Sequence, residues 1–229
     1  MIPRIIHQTV RNVNELTWEE KRLTKLSLKN LPQWEYHIWD DEQNAFIVKT
    51  YFPQYWDQYN KIGKGVAKAD IARYMYMAVY GGFYFDTDYK IIKEIPTDIL
   101  SENCVLPISR KDFRLGNGVL ASMPKHQFWY DLLEDIFDDE RLNNLEENQI
   151  EKTTGPEKVT DFYLRNKSKY TDLCLPEKEI FHPNIVCKGF IPLLRKETIG
   201  VHFCWGSWRS KSNIFSAVIN LLRRKVQAL

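Results

Sequence analysis

The stretch GGFYFDTDYK, residues 81–90, ends an aromatic run in two carboxylates, Asp86 and Asp88. Asp is among the poorest strand formers, and the residues before it are among the best. Alternate side chains share one side of a strand, so both acids project together if extension continues through Asp88. Two such charges repel, and burying either without a partner is costly. A divalent cation resolves the conflict, because Mg²⁺ and Mn²⁺ take oxygen ligands and commonly bridge protein carboxylates to substrate phosphates. The plainer reading is a strand-end turn with two solvated acids, and D-x-D alone does not separate the two. Asp70 and Arg73, three apart in ADIARY, share a helix face. They suit an intrahelical ion pair or a part in the same cradle. Only Gly81-Gly82 separate that helix from the strand, which fixes Arg73 relative to the acids. A cation-binding pair, an Arg and several tyrosines suit a nucleoside diphosphate.

The elements that must position these groups follow from periodicity. IPRIIHQTV reads as a first buried strand that turns polar at His7, Gln8 and Thr9. Residues 15–29 carry leucines at roughly helical spacing. WEYHIWDD, residues 34–41, reads as a second strand ending in acids. A helix follows to Tyr51, and Pro53 breaks it. GKGVAKADIARYMYMAVYGG is the clearest helix, with Gly65 before it and Gly81-Gly82 as its stop. FYFDTDYKII is expected to run on as one strand. NCVLPISR and NGVLASMP give two more short strands, and His126 to Phe137 an amphipathic helix. Residues 138–152 are charged and expected to be exposed, and TTGPEKVTDFYLRN enters a helix through Gly-Pro. Strands and helices alternate in the first half, so an α/β fold with parallel strands is expected, as one domain over 1–229. Residues 1–125 would form the regular, ligand-binding half and 126–229 a less regular second half. Ligands of such sheets bind beyond the carboxyl ends of the strands, which would bring the three polar strand ends to one edge.

Composition narrows the function classes. The 229 residues carry a net charge of +2, too balanced to indicate nucleic acid as a partner. Aromatics at 14% serve core packing first and sugar stacking second. Cys104, Cys174, Cys187 and Cys204 form no CxxC pair, and read as reduced, mostly buried thiols of a cytoplasmic protein. No secretory leader is visible, and no apolar run reaches the ~18 residues that span a bilayer.

The run ADIARYMYMAVYGGFYFDTDY resembles the signature of the DXD-containing sugar transferases of glycosyltransferase family 32. That group includes capsule and lipopolysaccharide transferases and the yeast initiating α-1,6-mannosyltransferase, and is related to the clostridial glucosylating toxins. The opening IPRIIHQT and the closing HFCWGSW match the family's first strand and last motif. The resemblance implies a GT-A fold, a nucleotide-sugar donor and a divalent metal, Mn²⁺ or Mg²⁺. By position it places Gln8, Thr9 and Val10 near base and ribose, although many relatives have an aromatic where this chain has Val10. Asp70 and Arg73 would contact donor sugar or phosphates, Tyr84 the nucleotide, and Asn117 the donor sugar. Asp86 would contact ribose or sugar and help hold the metal, and Asp88 would bind it directly. Ser207 and Trp208 would close over the diphosphate. His202 would be the third protein ligand, the alternative being a His hydrogen-bonded within a strand.

The metal at Asp88 and Arg73 nearby would stabilise charge on the departing diphosphate. The resemblance implies retention of anomeric configuration, by front-face attack of the acceptor hydroxyl. Thr154, Gly155 and Pro156 would line the acceptor cleft or simply begin a helix at Glu157. Trp129 reads as core. NIFSAVINLLRRKVQAL, at the C-terminus, is amphipathic and would rest on an anionic membrane or on its own domain. A lipid-linked or other glycan acceptor in bacterial surface polysaccharide synthesis is expected, with UDP favoured over GDP. Two rivals remain. A nucleotide-sugar-binding protein without turnover would keep the same residues. Haloacid-dehalogenase-type phosphatases also place D-x-D after an apolar strand, but near the chain start and with Thr or Val where Lys90 stands.

Overall fold

The computed structural model describes residues 1–183, 185–186, 191–192 and 194–205. β1 (Ile5–Thr9) is followed by α1 (Trp18–Leu28), whose start is fixed by a capping box between Thr17 and Glu20. β2 (Glu35–Trp39) leads into α2 (Asp41–Tyr51), capped in the same way by Asp40 and Gln43. The acids that end the second strand thus include a helix cap. Pro53 ends α2 as expected, and α3 (Trp56–Lys61) is a short continuation.

α4 (Gly65–Val79) is buried almost all round, with Asp70 through Ala78 inaccessible. Gly65 is its first residue rather than its predecessor. Gly81 and Gly82 then reverse the chain with φ of 65° and 84°. A Cβ at Gly81 would lie 2.6 Å from the Ser122 carbonyl oxygen, and one at Gly82 2.6 Å from that of Ile5. Both the left-handed backbone and the close approach require glycine.

β3 (Gly82–Phe85) stops before the acids, and β4 (Tyr89–Ile91) is a separate strand. The expected continuous strand through Asp88 is therefore corrected to strand, turn, strand. α5 (Thr97–Ser101), β5 (Cys104–Val105), β6 (Ile108–Arg110), β7 (Arg114–Leu115) and β8 (Val119–Ser122) follow. Next come α6 (Gln127–Phe137), α7 (Ile150–Thr153) and α8 (Pro156–Asn166), the last with Pro at its first position. β9 (Leu173–Cys174), α9 (Lys178–Phe181), β10 (Ile185–Val186), β11 (Ile191–Pro192) and β12 (Gly200–His202) complete the described residues.

The central sheet has the order β2-β1-β3-β8-β5-β9. β1 is parallel to β2 and β3, while β8 runs antiparallel to β3 and β5. The carboxyl ends of β1, β2 and β3 consequently share one edge, as the sequence predicts. Tyr84 and Leu120 face a core with α4, α6 and α8, in which Trp129 is fully buried. Phe83, Phe85, Val119 and Ala121 face the second core on the opposite side. β4 pairs antiparallel with β12, bringing His202 opposite Tyr89 from 113 positions along the chain. Among the described residues no helix is long and apolar enough to cross a membrane. Cys104 is buried, Cys174 half-buried and Cys204 exposed, all three free, so the expectation of mostly buried thiols holds only for the first. Cys187, Ser207, Trp208 and the amphipathic stretch from Asn213 lie outside the described residues.

Candidate active site

The two acids are gathered by a tight turn and not by strand pleating. The Tyr89 N–H donates to the Asp86 carbonyl at 3.0 Å, and the Asp86 N–H to the Gly118 carbonyl at 2.9 Å. One ligand atom each from Asp86, Asp88 and His202 lies within 4.8 Å of the others. His202 Nε2 is 3.0 Å from Asp88 Oδ1 and 3.4 Å from Asp86 Oδ2. The Trp205 N–H donates to Asp88 Oδ2 at 2.7 Å. Burial opposes charge on Asp88, but His202 and the Trp205 N–H outweigh it and hold the carboxyl below its usual range. Burial likewise opposes charge on His202, and the Asp88 carboxylate overrides it, raising the imidazole well above its usual value.

A glycine outside β12 makes room for His202. A Cβ on Gly118 would come within 2.5 Å of Asp86 Oδ2 and 2.6 Å of His202 Cε1. Gly118 is therefore the floor on which these two side chains rest. Its role was not legible in GNGVLAS, where nothing marks which glycine faces the acids. Gly118→Ala should push these two side chains apart while leaving β8 intact. A drop of about tenfold or more in apparent divalent-metal affinity, read by titration calorimetry, is expected for so displaced a ligand pair.

Behind the acids lies a buried charge network on α4. Arg73 Nη1 is 3.1 Å from Asp86 Oδ1, and Nη2 is 3.4 Å from Asp70 Oδ1. Nη1 also donates to the Asn117 carbonyl at 2.8 Å, and the guanidinium lies 4.5 Å from the centre of the Tyr84 ring. The Tyr84 hydroxyl donates to Asp86 Oδ1 at 2.7 Å. Asp70 accepts from Asn117 Nδ2 at 2.9 Å and from the Thr154 hydroxyl at 3.1 Å. Burial pushes the Asp70 carboxyl up to about 6 despite Arg73. The same burial opposes the charge of Arg73, but the surrounding groups, led by Asp86, keep it protonated. The expected intrahelical pair thus exists and is also part of the acids' cradle.

The first strand serves the site from inside the protein. Gln8 Oε1 accepts from the hydroxyls of Thr24 and Tyr36 at 3.0 and 2.8 Å, and Nε2 donates to the Asp86 carbonyl at 3.3 Å. Thr9 donates to the Trp39 carbonyl at 3.3 Å and accepts from Asn44 at 3.0 Å. The Val10 N–H donates to the Trp39 carbonyl at 2.9 Å, at the exit of β1. His7, read as the start of the polar exit, is a buried staple. A carbonyl only accepts and an indole N–H only donates. His7 Nε2 therefore donates to the Gly81 carbonyl at 2.9 Å while Nδ1 accepts from Trp39 Nε1 at 3.1 Å. Burial depresses its pKa to about 3, so the ring is neutral.

Thr154 is fully buried and reaches the site only through Asp70 and through its carbonyl, which accepts from Tyr74 at 2.7 Å. Gly155 caps α8 and Pro156 begins it. The helix-start reading of TTGPE is thus observed for these two, and Thr154 is a second support for Asp70. The fold therefore brings together Gln8, Asp70, Arg73, Tyr84, Asp86, Asp88, Asn117, Thr154 and His202.

A carboxylate pair and an imidazole at the carboxyl edge of a three-stranded parallel unit, buttressed by a buried Arg, define a DXD-type site on a GT-A fold. Residues 18–106 match the model described as the glycosyltransferase sugar-binding region containing a DXD motif, as the resemblance read from the sequence leads one to expect. It is 30% identical over 159 residues to a mannosyl phosphorylinositol ceramide synthase of Saccharomyces cerevisiae, covering 68% of this chain and 40% of that protein. It is 24% identical over 218 residues to an uncharacterized glycosyltransferase of Acanthamoeba polyphaga mimivirus, covering 91% and 84%. The match thus covers about two fifths of the yeast relative and most of the viral one. Among solved structures, the PaToxG glycosyltransferase superposes with a TM-score of 0.57 at 16% identity, covering 72% of this chain and 70% of that one. A glycosyltransferase involved in glycosylation of the PBCV-1 major capsid superposes with a TM-score of 0.52 at 10% identity, covering 98% of each. These two likenesses concern the fold.

Proposed function

We propose that this chain is a metal-dependent, retaining hexosyltransferase that takes its donor as a nucleotide sugar, UDP-linked by preference. The observation that carries the reading is the convergence of Asp86, Asp88 and His202 beside the buried Arg73. The donor set fits a divalent ion. Two carboxylates supply hard oxygen, and one imidazole tilts the choice from Mg²⁺ toward Mn²⁺. Such an ion, when bound, supplies positive charge to a departing diphosphate.

The chain's own residues do the rest. Arg73 fixes the Asp86 carboxylate from one side and Tyr84 fixes it through a hydroxyl hydrogen bond. Asp88 is oriented by the Trp205 N–H, so one of its oxygens is pinned before any ligand arrives. Asn117, held by Asp70 and Tyr74, presents the loop between β7 and β8 to the donor sugar. With both acids occupied in holding the ion, neither is free to be a covalent nucleophile. The acceptor hydroxyl would attack from the front face and pass its proton to the departing phosphate oxygen.

The acceptor is a glycan or lipid-linked glycan, with bacterial surface polysaccharide as the setting inferred from the sequence. The free thiols of Cys104, Cys174 and Cys204 suit a reducing, cytoplasmic compartment. A second reading is favoured by the yeast relative's name: mannosyl transfer to a phosphoinositol-bearing lipid. A thermal-shift screen of nucleotide sugars, with and without Mn²⁺, tests both. The cognate donor should raise the melting temperature only with metal, and a UDP-hexose or a mannose donor should stand out according to the reading. No metal-dependent shift with any nucleotide sugar would overturn the proposal. A product of anomeric configuration opposite to the donor would refute retention.

A further inference from the structure

The face of the sheet opposite α4 carries an open groove of about 530 Å³ between α1 and β2, apart from the acids. Its lining is almost wholly apolar. Leu16 and Leu28 come from the α1 side, and Tyr36 and Ile38 from β2. The polar groups on its wall are turned inward: the hydroxyls of Thr24 and Tyr36 both donate to Gln8 and leave methyl and ring surface toward the groove. Above this floor stand Lys21, Lys25 and Lys29, all exposed. None of the three makes an ion pair among the described residues. The acids of the same helix are elsewhere, with Glu19 buried and Glu20 accepting from Thr17 and from Thr87 on the DXD turn.

The row is a line and not a cradle. Residues four apart rise about 6 Å along a helix, so the three ammonium groups are strung along one side of it. Arg, the residue suited to forked grip of a single phosphate, is absent from the row. Such an arrangement meets a spread of negative charge better than one anion. Trp18 stands on the same helix face and is 56% exposed. An indole left in solvent beside lysines over an apolar groove is the pattern of an interfacial surface, where the ring sits at headgroup depth and lysine stems cover apolar area.

We infer that the α1–β2 face docks on an anionic lipid bilayer, with Trp18 at the interface, the lysine row on lipid phosphates and the groove taking acyl-chain surface. Glu20, hydrogen-bonded to Thr87 at 3.2 Å, ties this helix directly to the turn bearing the acids. Docking would therefore hold the active edge close to the membrane. The inference is separate from the donor chemistry and from the C-terminal stretch.

Vesicle co-sedimentation of the full chain, without donor or metal, tests it. Binding is expected to vesicles of phosphatidylcholine mixed with phosphatidylserine, to fall with added salt, and to be weak on phosphatidylcholine alone. Replacing Lys21, Lys25 and Lys29 together by Gln should lower the partition coefficient roughly a hundredfold, since each lysine contributes about fivefold. These are exposed positions, and an unchanged circular dichroism melt shows that the fold is kept. Brominated lipid should quench tryptophan emission of the wild type and much less that of Trp18→Phe. The inference is overturned by no binding to anionic vesicles, by equal binding to both vesicle types, or by binding that survives the triple substitution. Quenching that is undiminished in Trp18→Phe, or a concentration-dependent dimer formed through this face in place of vesicle binding, overturns it as well.

Discussion

Asp88→Asn should lose metal-dependent turnover by at least about 10³-fold in kcat, because a divalent ion contributes several kcal/mol of charge stabilisation to a departing group. Asp88 is the acid with the fewest other duties. Its Oδ2 accepts the Trp205 N–H, a bond that the amide oxygen of Asn can keep. Its Oδ1 faces His202 at 3.0 Å, and there the substitution removes both charge and ligand. His202 should then lose the partner that raises its pKa, so its proton is held less tightly. The measurement is donor hydrolysis with Mn²⁺ and with chelator. The variant with Mn²⁺ should match chelated wild type, and its circular dichroism at the assay temperature should show that it is still folded although the Asp88–His202 pair is lost. Mn²⁺-dependent turnover within tenfold of the wild type would remove Asp88 from the metal site and take the proposed chemistry with it.

Arg73→Gln should be the most destabilising change at the site. The guanidinium is 8% exposed at its side chain and meets Asp86, Asp70 and the Asn117 carbonyl at once. Removing one partner of a buried ion pair costs about 3–5 kcal/mol, because the remaining charge is left uncompensated. Asp70 is already pushed up to about 6 by burial and would take up a proton near neutral pH. Asp86 is then left to be held by Tyr84 alone on that side, and its carboxylate loses its fixed orientation. Arg73→Lys should recover little, since one ammonium cannot reproduce a planar fork that spans two carboxylates and a carbonyl. Urea melts of the three proteins at neutral pH provide the check. A loss below about 1 kcal/mol for Arg73→Gln would mean that the network is not the brace of the acids, given that even a single unsatisfied buried group costs about 1–3 kcal/mol.

What could be read from residue order alone was local and periodic. The helix between Gly65 and the Gly81-Gly82 stop, and the first two strands, are each dictated within one or two turns of chain. So was the spacing of Asp70, Arg73, Asp86 and Asp88, because a rigid helix, a two-glycine reversal and a four-residue strand leave little freedom between them. The family signature lies in that same stretch for the same reason.

Tertiary structure decided whatever depends on contacts between distant segments. Gln8 could be placed at the sheet edge from its position, but only the packing of α1 and β2 showed that its amide is spent on Thr24, Tyr36 and the Asp86 carbonyl. His7 looked like a polar exit because nothing in IIHQT reveals a carbonyl at Gly81 and an indole at Trp39 waiting for its two nitrogens. The turn at Asp86–Asp88 replaced a continuous strand because β4 pairs with β12, a partner more than a hundred residues away. That pairing also delivers His202 to the acids, and Gly118 makes room for it. Short-range sterics and hydrophobic period are written in neighbouring residues; the meeting of two acids, an imidazole and a glycine floor is fixed only when the sheet and its added ribbon close around them.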